Sequence, residues 1–388
     1  MELRPVERKD PRQSYLMNMA FNRGCFNEQA VDEGEDIEGI STIGAWENDR
    51  LCASVTVVHF QCHFGAHQIA PMGGIAGVAC MPADRGKSYA GICLKRVLEM
   101  MRENGEYVSS LYPFSWDFYG NYGWAWVGEK REYSLPTAIL RTAAETDQVY
   151  EAQPSDREEI CRVYTAYAKQ YRGMIIRDEA IWKRHLDNAK DQYTYTYIYR
   201  GESGIEGYVT FRHQQGDETH LSEFISLSPA AMNGLLGLMR RLDMQIKRIK
   251  FDAPGDDNLW FSRMHWEIST RLQPFNMARV VDISAALAAL HPPCETRGKV
   301  IFTLRDSMAL WNQGTWAAEY EGGQCVVKPS TEEAGIELDI QAFSQAYWGS
   351  PSLAQLLRAN RLIVKDEVAY RSLSVLLGGP TMCMYDAF

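Results

Sequence analysis

The amino-acid sequence predicts an α/β (α+β) fold built from about three domains, the second an echo of the first. Its length of 388 residues corresponds to two to four domains at roughly 100–200 residues each. Strand and helix signals alternate through the first ~135 residues and again from about Tyr150 to Ile283, the pattern of layered α/β units. The order strand, proline, helix, strand recurs around Pro82 and around Pro229, which reads as an internal repeat.

Leu51, Ala53, Val55 and Val57 alternate with other residues, as on one face of a strand. Residues 68–72 and 75–81 read as two further strands broken by Gly73-Gly74. Ala90, Leu94, Val97, Leu98 and Met101 recur at three and four residues, the apolar stripe of a helix. Asn104-Gly105 stops that helix, with Gly105 suited to a left-handed C-cap, and the segment 107–112 starts the next strand. In the second block, Pro154-Ser155-Asp156-Arg157-Glu158-Glu159 opens a helix that continues through Ile160 and Val163. Strands are expected over 193–199, 207–212, 221–228 and 248–252, with a helix over 231–244. Ile225 to Pro229 and the helix carrying Leu235, Leu238 and Met239 parallel Val78 to Pro82 and the helix carrying Leu98, Met100 and Met101. The glycine-bearing loop between strand and helix has no counterpart in the second copy, which reads as a repeat that has lost its ligand loop.

A third block begins near Asp282. Strands are expected over 300–304, 315–321, 325–328 and 336–340, with Gly322-Gly323 as a hairpin turn. Helices are expected over 341–348, 352–359 and 367–377. The final residues, Gly379 to Phe388, are more apolar than a frayed terminus, so the end is expected to be docked.

Composition bounds the function. With 46% hydrophobic residues and 10 Trp, 20 Tyr and 14 Phe, the chain has ample core and is not a disordered one. The 40 basic and 50 acidic side chains give a formal charge of -10. That argues against non-specific binding to nucleic acid or to an anionic membrane and is compatible with a cationic small substrate. The start, Met1 to Lys9, has no apolar core of a signal peptide, and no apolar run approaches the ~18 residues of a transmembrane helix. Nine cysteines without framework spacing suit a reducing, cytoplasmic compartment.

The strongest local signal is Val78-Ala79-Cys80-Met81-Pro82-Ala83-Asp84-Arg85-Gly86-Lys87-Ser88-Tyr89-Ala90-Gly91. A strand ends, a short loop with Arg85 and small residues turns, and a helix starts. The first turn of a helix offers unpaired N–H groups and partial positive charge, a cradle for a pyrophosphate. Lys87 adds positive charge and Gly86 allows close backbone approach. Gly86-Lys87-Ser88 is not a phosphate-binding P-loop, because Met81 stands where its first glycine belongs. This segment resembles the coenzyme A loop of the GNAT acetyltransferase superfamily, Arg/Gln-x-x-Gly-x-Gly/Ala, matched at Arg85 and Ala90 but with Ser88 where glycine is usual. A second segment, Phe118-Tyr119-Gly120-Asn121-Tyr122-Gly123-Trp124, is similar to the GNAT aromatic motif at the thiol end of acetyl-CoA. A tyrosine there is a plausible proton donor to a leaving thiolate.

Both motifs, the repeat and the third block resemble the Eis-like (enhanced intracellular survival) N-acetyltransferases across essentially the whole chain. The resemblance implies two tandem GNAT-like mixed-sheet domains plus a C-terminal sterol-carrier-protein-like α+β domain. These are a catalytic domain over 1–140, a degenerate GNAT-like domain over 141–283, and a sterol-carrier-like domain over 284–388 whose tail returns to the active site. It implies acetyl-CoA as co-substrate, without a metal, touching Val78, Ala79, Cys80, the run Arg85, Gly86, Lys87, Ser88, Tyr89, Ala90 and Gly91, and Phe114 and Ser115. It implies Tyr119 as general acid and the C-terminal carboxylate on Phe388 as general base; Phe26, Glu28 and Asp386 are candidates for the acceptor cleft. The expected function is acetyl transfer to primary amines of a polycationic molecule such as an aminoglycoside, in a homo-oligomer, a hexamer by resemblance. A peptide or protein lysine acetyltransferase and a non-catalytic lipid- or CoA-binding protein are the alternatives.

Three further features read as structural. His59, Cys62, His63 and His67 mimic metal-ligand spacing but fall on a strand and its hairpin, pointing different ways. Asp32 to Glu38 is read as a solvated acidic loop, or as a negative rim for polyamines. Cys80 has no histidine partner in the sequence nearby and is read as lending backbone only.

Overall fold

The computed structural model describes residues 1–7, 9–21, 39–186, 194–212, 216–257, 259–261 and 263–388. Strand β1 (Glu2–Pro5), helix α1 (Pro11–Phe21) and strands β2 (Ile40–Glu47), β3 (Arg50–Phe64) and β4 (Ile69–Cys80) open the chain, the four strands pairing antiparallel in order. Helix α2 (Tyr89–Glu103) then crosses to β5 (Val108–Leu111), which lies parallel to β4. The stripe of α2 packs as its period predicts: Leu94, Val97, Leu98 and Met101 are all buried against Val55, Val57 and Ile75 of the sheet. Gly105 at its end is left-handed, as a helix stop of this kind requires.

Gly73-Gly74 does not break a strand; β4 runs unbroken through both residues. The pair serves packing on the two sheet faces. Successive strand residues point to opposite faces, and a side chain at Gly73 would meet Met101 of α2, while a Cβ at Gly74 would lie 2.6 Å from the ring of Phe388.

The short helix α3 (Trp116–Gly120) leads into a long strand, β6 (Ala125–Pro136). The second block holds β7 (Val149–Glu151), α4 (Arg157–Ala168), β8 (Arg172–Ile175), α5 (Glu179–Leu186), β9 (Thr194–Gly201), β10 (Gly204–Arg212), β11 (Glu218–Ser226), α6 (Pro229–Arg241), β12 (Arg248–Pro254) and β13 (Ser269–Val280). The echo is structural: β11 and β12 are parallel and joined by α6, as β4 and β5 are joined by α2. Here the crossover is direct. Ser228 caps α6 by accepting from the Ala231 N–H, with Pro229 at the first helical position, and no loop intervenes.

All thirteen strands form one sheet in the order β1-β2-β3-β4-β5-β13-β6-β12-β11-β10-β9-β7, with β8 paired to the far end of β3. Strand β13 lies between β5 and β6, so a segment from the second block completes the sheet of the first.

The third block has α7 (Ile283–Ala288), β14 (Arg297–Arg305), β15 (Gly314–Glu321), β16 (Gln324–Pro329), β17 (Ile336–Asp339), α8 (Ile340–Trp348), α9 (Leu353–Arg358), β18 (Leu362–Val364) and α10 (Glu367–Leu376). Its strands form a five-stranded sheet, β16-β15-β14-β17-β18. Helix α7 and strand β18, too short for a clear period, are additions to the elements expected from sequence. Phe343, Tyr347 and Trp348 of α8 share one buried cluster with Cys62, Phe64, Met72 and Val127 of the large sheet. The third domain is therefore welded to the first through apolar burial.

Candidate active site

The parallel pairing of β4 with β5 runs only from Met72↔Val108 to Ile75↔Leu111. Beyond Ile75, β4 continues to Cys80 while the partner chain turns away, leaving a strand edge whose backbone groups face an opening rather than a ladder. Within that stretch the pairing to β3 shifts register between Ser54↔Ala79 and Thr56↔Ala76, and Gly77 has φ +52°. This is a β-bulge, which re-aims backbone groups next to a site.

A cavity of about 650 Å³ occupies the opening. Its walls include Val78, Ala79 and Cys80 of the strand edge, Arg85, Gly86, Ser88, Tyr89, Ala90 and Gly91 of the loop and first helical turn, and Phe114. Ten of the residues named from sequence as cofactor contacts thus surround one space. Two others do not line it. Ser115 caps α3, its hydroxyl accepting from the Phe118 N–H at 3.3 Å. Lys87 gives its ammonium to the Asp84 carboxylate at 2.8 Å rather than standing free for a phosphate. Phe118 and Tyr122 of the aromatic motif also line the wall, as do Ala20, Phe21 and Asp84, none of which was named from sequence as a cofactor contact.

The loop is held by a buried acid that sequence reasoning passed over. Asp84 is 1% exposed and accepts from both Arg50 and Lys87. These partners, Arg50 foremost, lower its carboxyl to about 2 against the cost of burial. Arg85, by contrast, is exposed, and its guanidinium has no ion pair or hydrogen bond among the described residues. It is the loop cation open to an anionic ligand. Ser88, the departure from the usual glycine, sits at φ +63° and precedes the helix. The serine therefore adopts the left-handed conformation that glycine takes freely, at a cost of order 1–2 kcal/mol.

Tyr119 projects from α3 and is 4% exposed. Its ring meets those of Phe118 and Phe114 edge-on, at 5.1 and 5.2 Å, which places it behind two residues of the cavity wall. Burial pushes its phenol well above the usual value, so it stays protonated at neutral pH.

The tail returns to this region along a defined path. Residues 381–383 pair with β8: the Arg172 N–H donates to Thr381 and the Cys383 N–H donates to Arg172. The Arg172 guanidinium, 3% exposed, donates to the carbonyls of Tyr347, Leu377 and Gly378. These lie at the C-terminal ends of α8 and α10, where the helix dipole is negative. The Tyr112 hydroxyl donates to the Asp386 carbonyl at 2.8 Å. Phe388 then packs its ring 5.0 Å from Phe60 and 5.6 Å from Tyr112, against Gly74. Gly74 and Tyr112 flank the last paired residues, Ile75 and Leu111, so the chain ends at the fork where β4 and β5 part.

Asp386 does not face an open cleft. It is 5% exposed and accepts from Arg177 at 3.0 Å, His185 at 2.8 Å and the Tyr164 hydroxyl at 3.1 Å. Arg177 also pairs with Glu223, which accepts from Tyr208 at 2.8 Å. The two arginines that anchor the tail, Arg172 and Arg177, flank an apolar strand in the sequence; that placement was the signal available, and nothing local says what they hold. Phe26, Glu28 and the acidic run 32–36 lie outside the described residues. His59 is held by Glu106 at 2.7 Å and Ser41 at 2.9 Å, and Cys62 and His63 are buried in β3.

Comparison with known proteins bears on the fold and its domains. A model of the GNAT acetyltransferase domain matches residues 12–127, a second GNAT acetyltransferase domain model matches 173–280, and a sterol carrier protein domain model matches 283–384. An uncharacterized N-acetyltransferase of Streptomyces avermitilis is 22% identical over 92% of this chain and 92% of its own length. The N-acetyltransferase Eis of Mycobacterium tuberculosis is 23% identical over 79% of this chain and 77% of its own. Among solved structures, a probable N-acyltransferase from Enterococcus faecalis superposes with a TM-score of 0.90 at 23% identity, covering 100% of this chain and 99% of that one. Eis1 of Mycobacterium abscessus gives 0.82 at 18% identity over 100% of both.

The two GNAT domains mark an acyltransferase of the GNAT superfamily, a class whose domains imply acetyl-CoA as co-substrate and an amine as acceptor. The chain is Eis-like: it carries two GNAT domains followed by a sterol-carrier domain and is similar to the N-acetyltransferase Eis over most of its length. Among the described residues, no helix is long and apolar enough to cross a membrane.

Proposed function

We propose that the protein transfers the acetyl group of acetyl-CoA to a primary amine of a polycationic small molecule, an aminoglycoside or a similar polyamine, by direct attack in a ternary complex. The Phe388 carboxylate, directly or through a water, takes the ammonium proton. The freed amine forms the new C–N bond as the C–S bond breaks. Backbone N–H groups along Val78 to Cys80 stabilise charge on the thioester oxygen. Tyr119 gives its proton to the departing thiolate, and the second proton shed by the nitrogen as the amide forms restores the phenol, so the net proton released is the one taken by the carboxylate.

The observation that carries this reading is the position of the chain terminus, with the Phe388 ring on Gly74 at the fork of β4 and β5. The open Arg85 above the first turn of α2 supports coenzyme A binding in the cavity, and the charge of -10 favours a cationic acceptor. A cytoplasmic location accords with eight described cysteines, all free. A homohexamer follows from the family resemblance and is tested by sedimentation velocity.

The deciding experiment is thiol release from acetyl-CoA with aminoglycosides, polyamines and lysine peptides in parallel. Turnover with the first two supports the proposal. Turnover with lysine peptides alone makes the protein a peptide acetyltransferase. Acetyl-CoA binding without turnover on any amine makes it a binding protein.

A further inference from the structure

The carbonyls of the turn that follows Tyr119 are gripped from outside the turn. Its inner bonds are local: the N–H groups of Tyr122 and Trp124 both donate to the Tyr119 carbonyl, at 3.0 and 3.3 Å. Its outer bonds come from other parts of the chain. Arg279 of β13 donates Nη1 to the Tyr122 carbonyl at 2.5 Å, while its Nη2 donates to Asp306 at 2.6 Å. Gln341, in the first turn of α8, donates Nε2 to the carbonyls of Gly120 at 3.1 Å and Trp124 at 3.2 Å.

This is a deliberate-looking arrangement by its burial. The Arg279 side chain is 0% exposed and Asp306 1%, and a buried ion pair is stable only when its remaining hydrogen bonds are met. They are met: Asp306 also accepts from Asn312 Nδ2 at 3.0 Å and from the Met308 and Ala309 N–H groups. The Arg279 guanidinium lies 5.3 Å from the centre of the Trp124 ring. Gly123, at φ +87°, makes room for it; a Cβ there would come within 2.6 Å of Arg279 Nη1. Neither Arg279 nor Gln341 lines the cavity at the strand edge.

We infer that Arg279 and Gln341 are positioning residues for Tyr119, and that Asp306 and Gln341 make the sterol-carrier domain part of the catalytic apparatus. The inference rests on Tyr119 being the proton donor. A phenol delivers its proton efficiently only at hydrogen-bond distance and alignment, and small displacements at a reacting centre are costly. Three carbonyls of one tight turn, tied to a buried arginine and a glutamine, fix the backbone that carries the phenol.

The test is a double-mutant cycle on kcat with acetyl-CoA affinity measured by calorimetry. Gln341→Leu removes both donations at similar volume, and Gln341 borders a separate cavity of about 630 Å³, so the exchange is not overpacked. Gln341→Leu is expected to lower kcat about 3–10-fold with acetyl-CoA affinity within about twofold, and to add less than about twofold in a Tyr119→Phe background, since residues acting through one group are non-additive. Arg279→Met is expected to lose more, with Arg279→Lys regaining part by keeping the charge beside Asp306. Additive losses with an impaired Tyr119→Phe enzyme, or unchanged kcat in Gln341→Leu, overturn the inference alone. A Tyr119→Phe enzyme with wild-type kcat overturns the proton-donor assignment and the inference with it. Where Arg279→Met does not fold, the Gln341→Leu cycle decides.

Discussion

The Asp386 carboxylate lies 3.0 Å from Nε of Arg177, in a pocket closed over by Tyr164, His185 and Glu223. A chain terminus ordinarily frays; here a buried ion pair holds it two residues before Phe388. Removing one member of a buried pair typically costs ~3–5 kcal/mol, because the other charge is stranded. Arg177→Met takes the arginine from both Asp386 and Glu223, leaving them only His185, Tyr164 and Tyr208, whereas Asp386→Asn leaves Arg177 with Glu223. Arg177→Met is therefore expected to lower thermal stability more than Asp386→Asn, and both to reduce kcat more than acetyl-CoA affinity. Thermal melts with parallel kinetics check the order.

The same pair sets an acid limit. Burial works against ionising Asp386, but the hydrogen bond from His185 and the Arg177 charge outweigh it and hold the carboxyl below its usual range. A carboxyl depressed in the folded state contributes stability that is fully present above its unfolded value, near pH ~4, and is lost as pH falls through the folded value. Wild-type stability is expected to drop below about pH 4 more steeply than that of Asp386→Asn. Melting temperatures from pH 3 to 6 decide; parallel curves would contradict the coupling.

The Gly74 position reports on the terminus directly. A Cβ there would stand 2.6 Å from Cε2 of Phe388 and 2.9 Å from Phe60. Gly74→Val is expected to displace the terminal ring and lower kcat by about tenfold or more, by misplacing the proton acceptor, with acetyl-CoA affinity kept. Gly73→Ala, which presses on Met101 of α2 instead, is expected to lower stability and affect kcat less.

Ser88 gives the opposite sign. Its φ of +63° strains a serine and suits glycine. Ser88→Gly is expected to leave the acetyl-CoA KM equal or lower and stability within about 1 kcal/mol of wild type, relief of strain offsetting chain entropy. Ser88→Val, β-branched at positive φ, is expected to raise KM and destabilise by about 1–3 kcal/mol.

Local features were legible in the sequence because short-range physics fixes them. The stripe of α2, the loop ending at Ser88 and the stop at Gly105 depend on residues within a few turns. The repeat was legible because β11, Pro229 and α6 copy β4, Pro82 and α2 in order. What was hidden involves distant pairing. Nothing near Asn276 or Met277 says that β13 sits between β5 and β6. Asp386 and Arg177 are 209 residues apart, and Asp84 looks like an ordinary loop acid until Arg50 closes on it. Glycines misled in one place: Gly73-Gly74 suggested a break, whereas they thin the strand for Met101 and Phe388.

The central claim is that the terminal carboxylate is the catalytic base, and replacing it by a carboxamide through semisynthesis tests it most directly. Positioned general bases typically contribute ~10²–10⁴-fold. The amidated enzyme, at saturating acetyl-CoA and amine, is predicted to lose at least about 100-fold in kcat while binding acetyl-CoA as tightly as wild type. An amidated enzyme with wild-type kcat would contradict it.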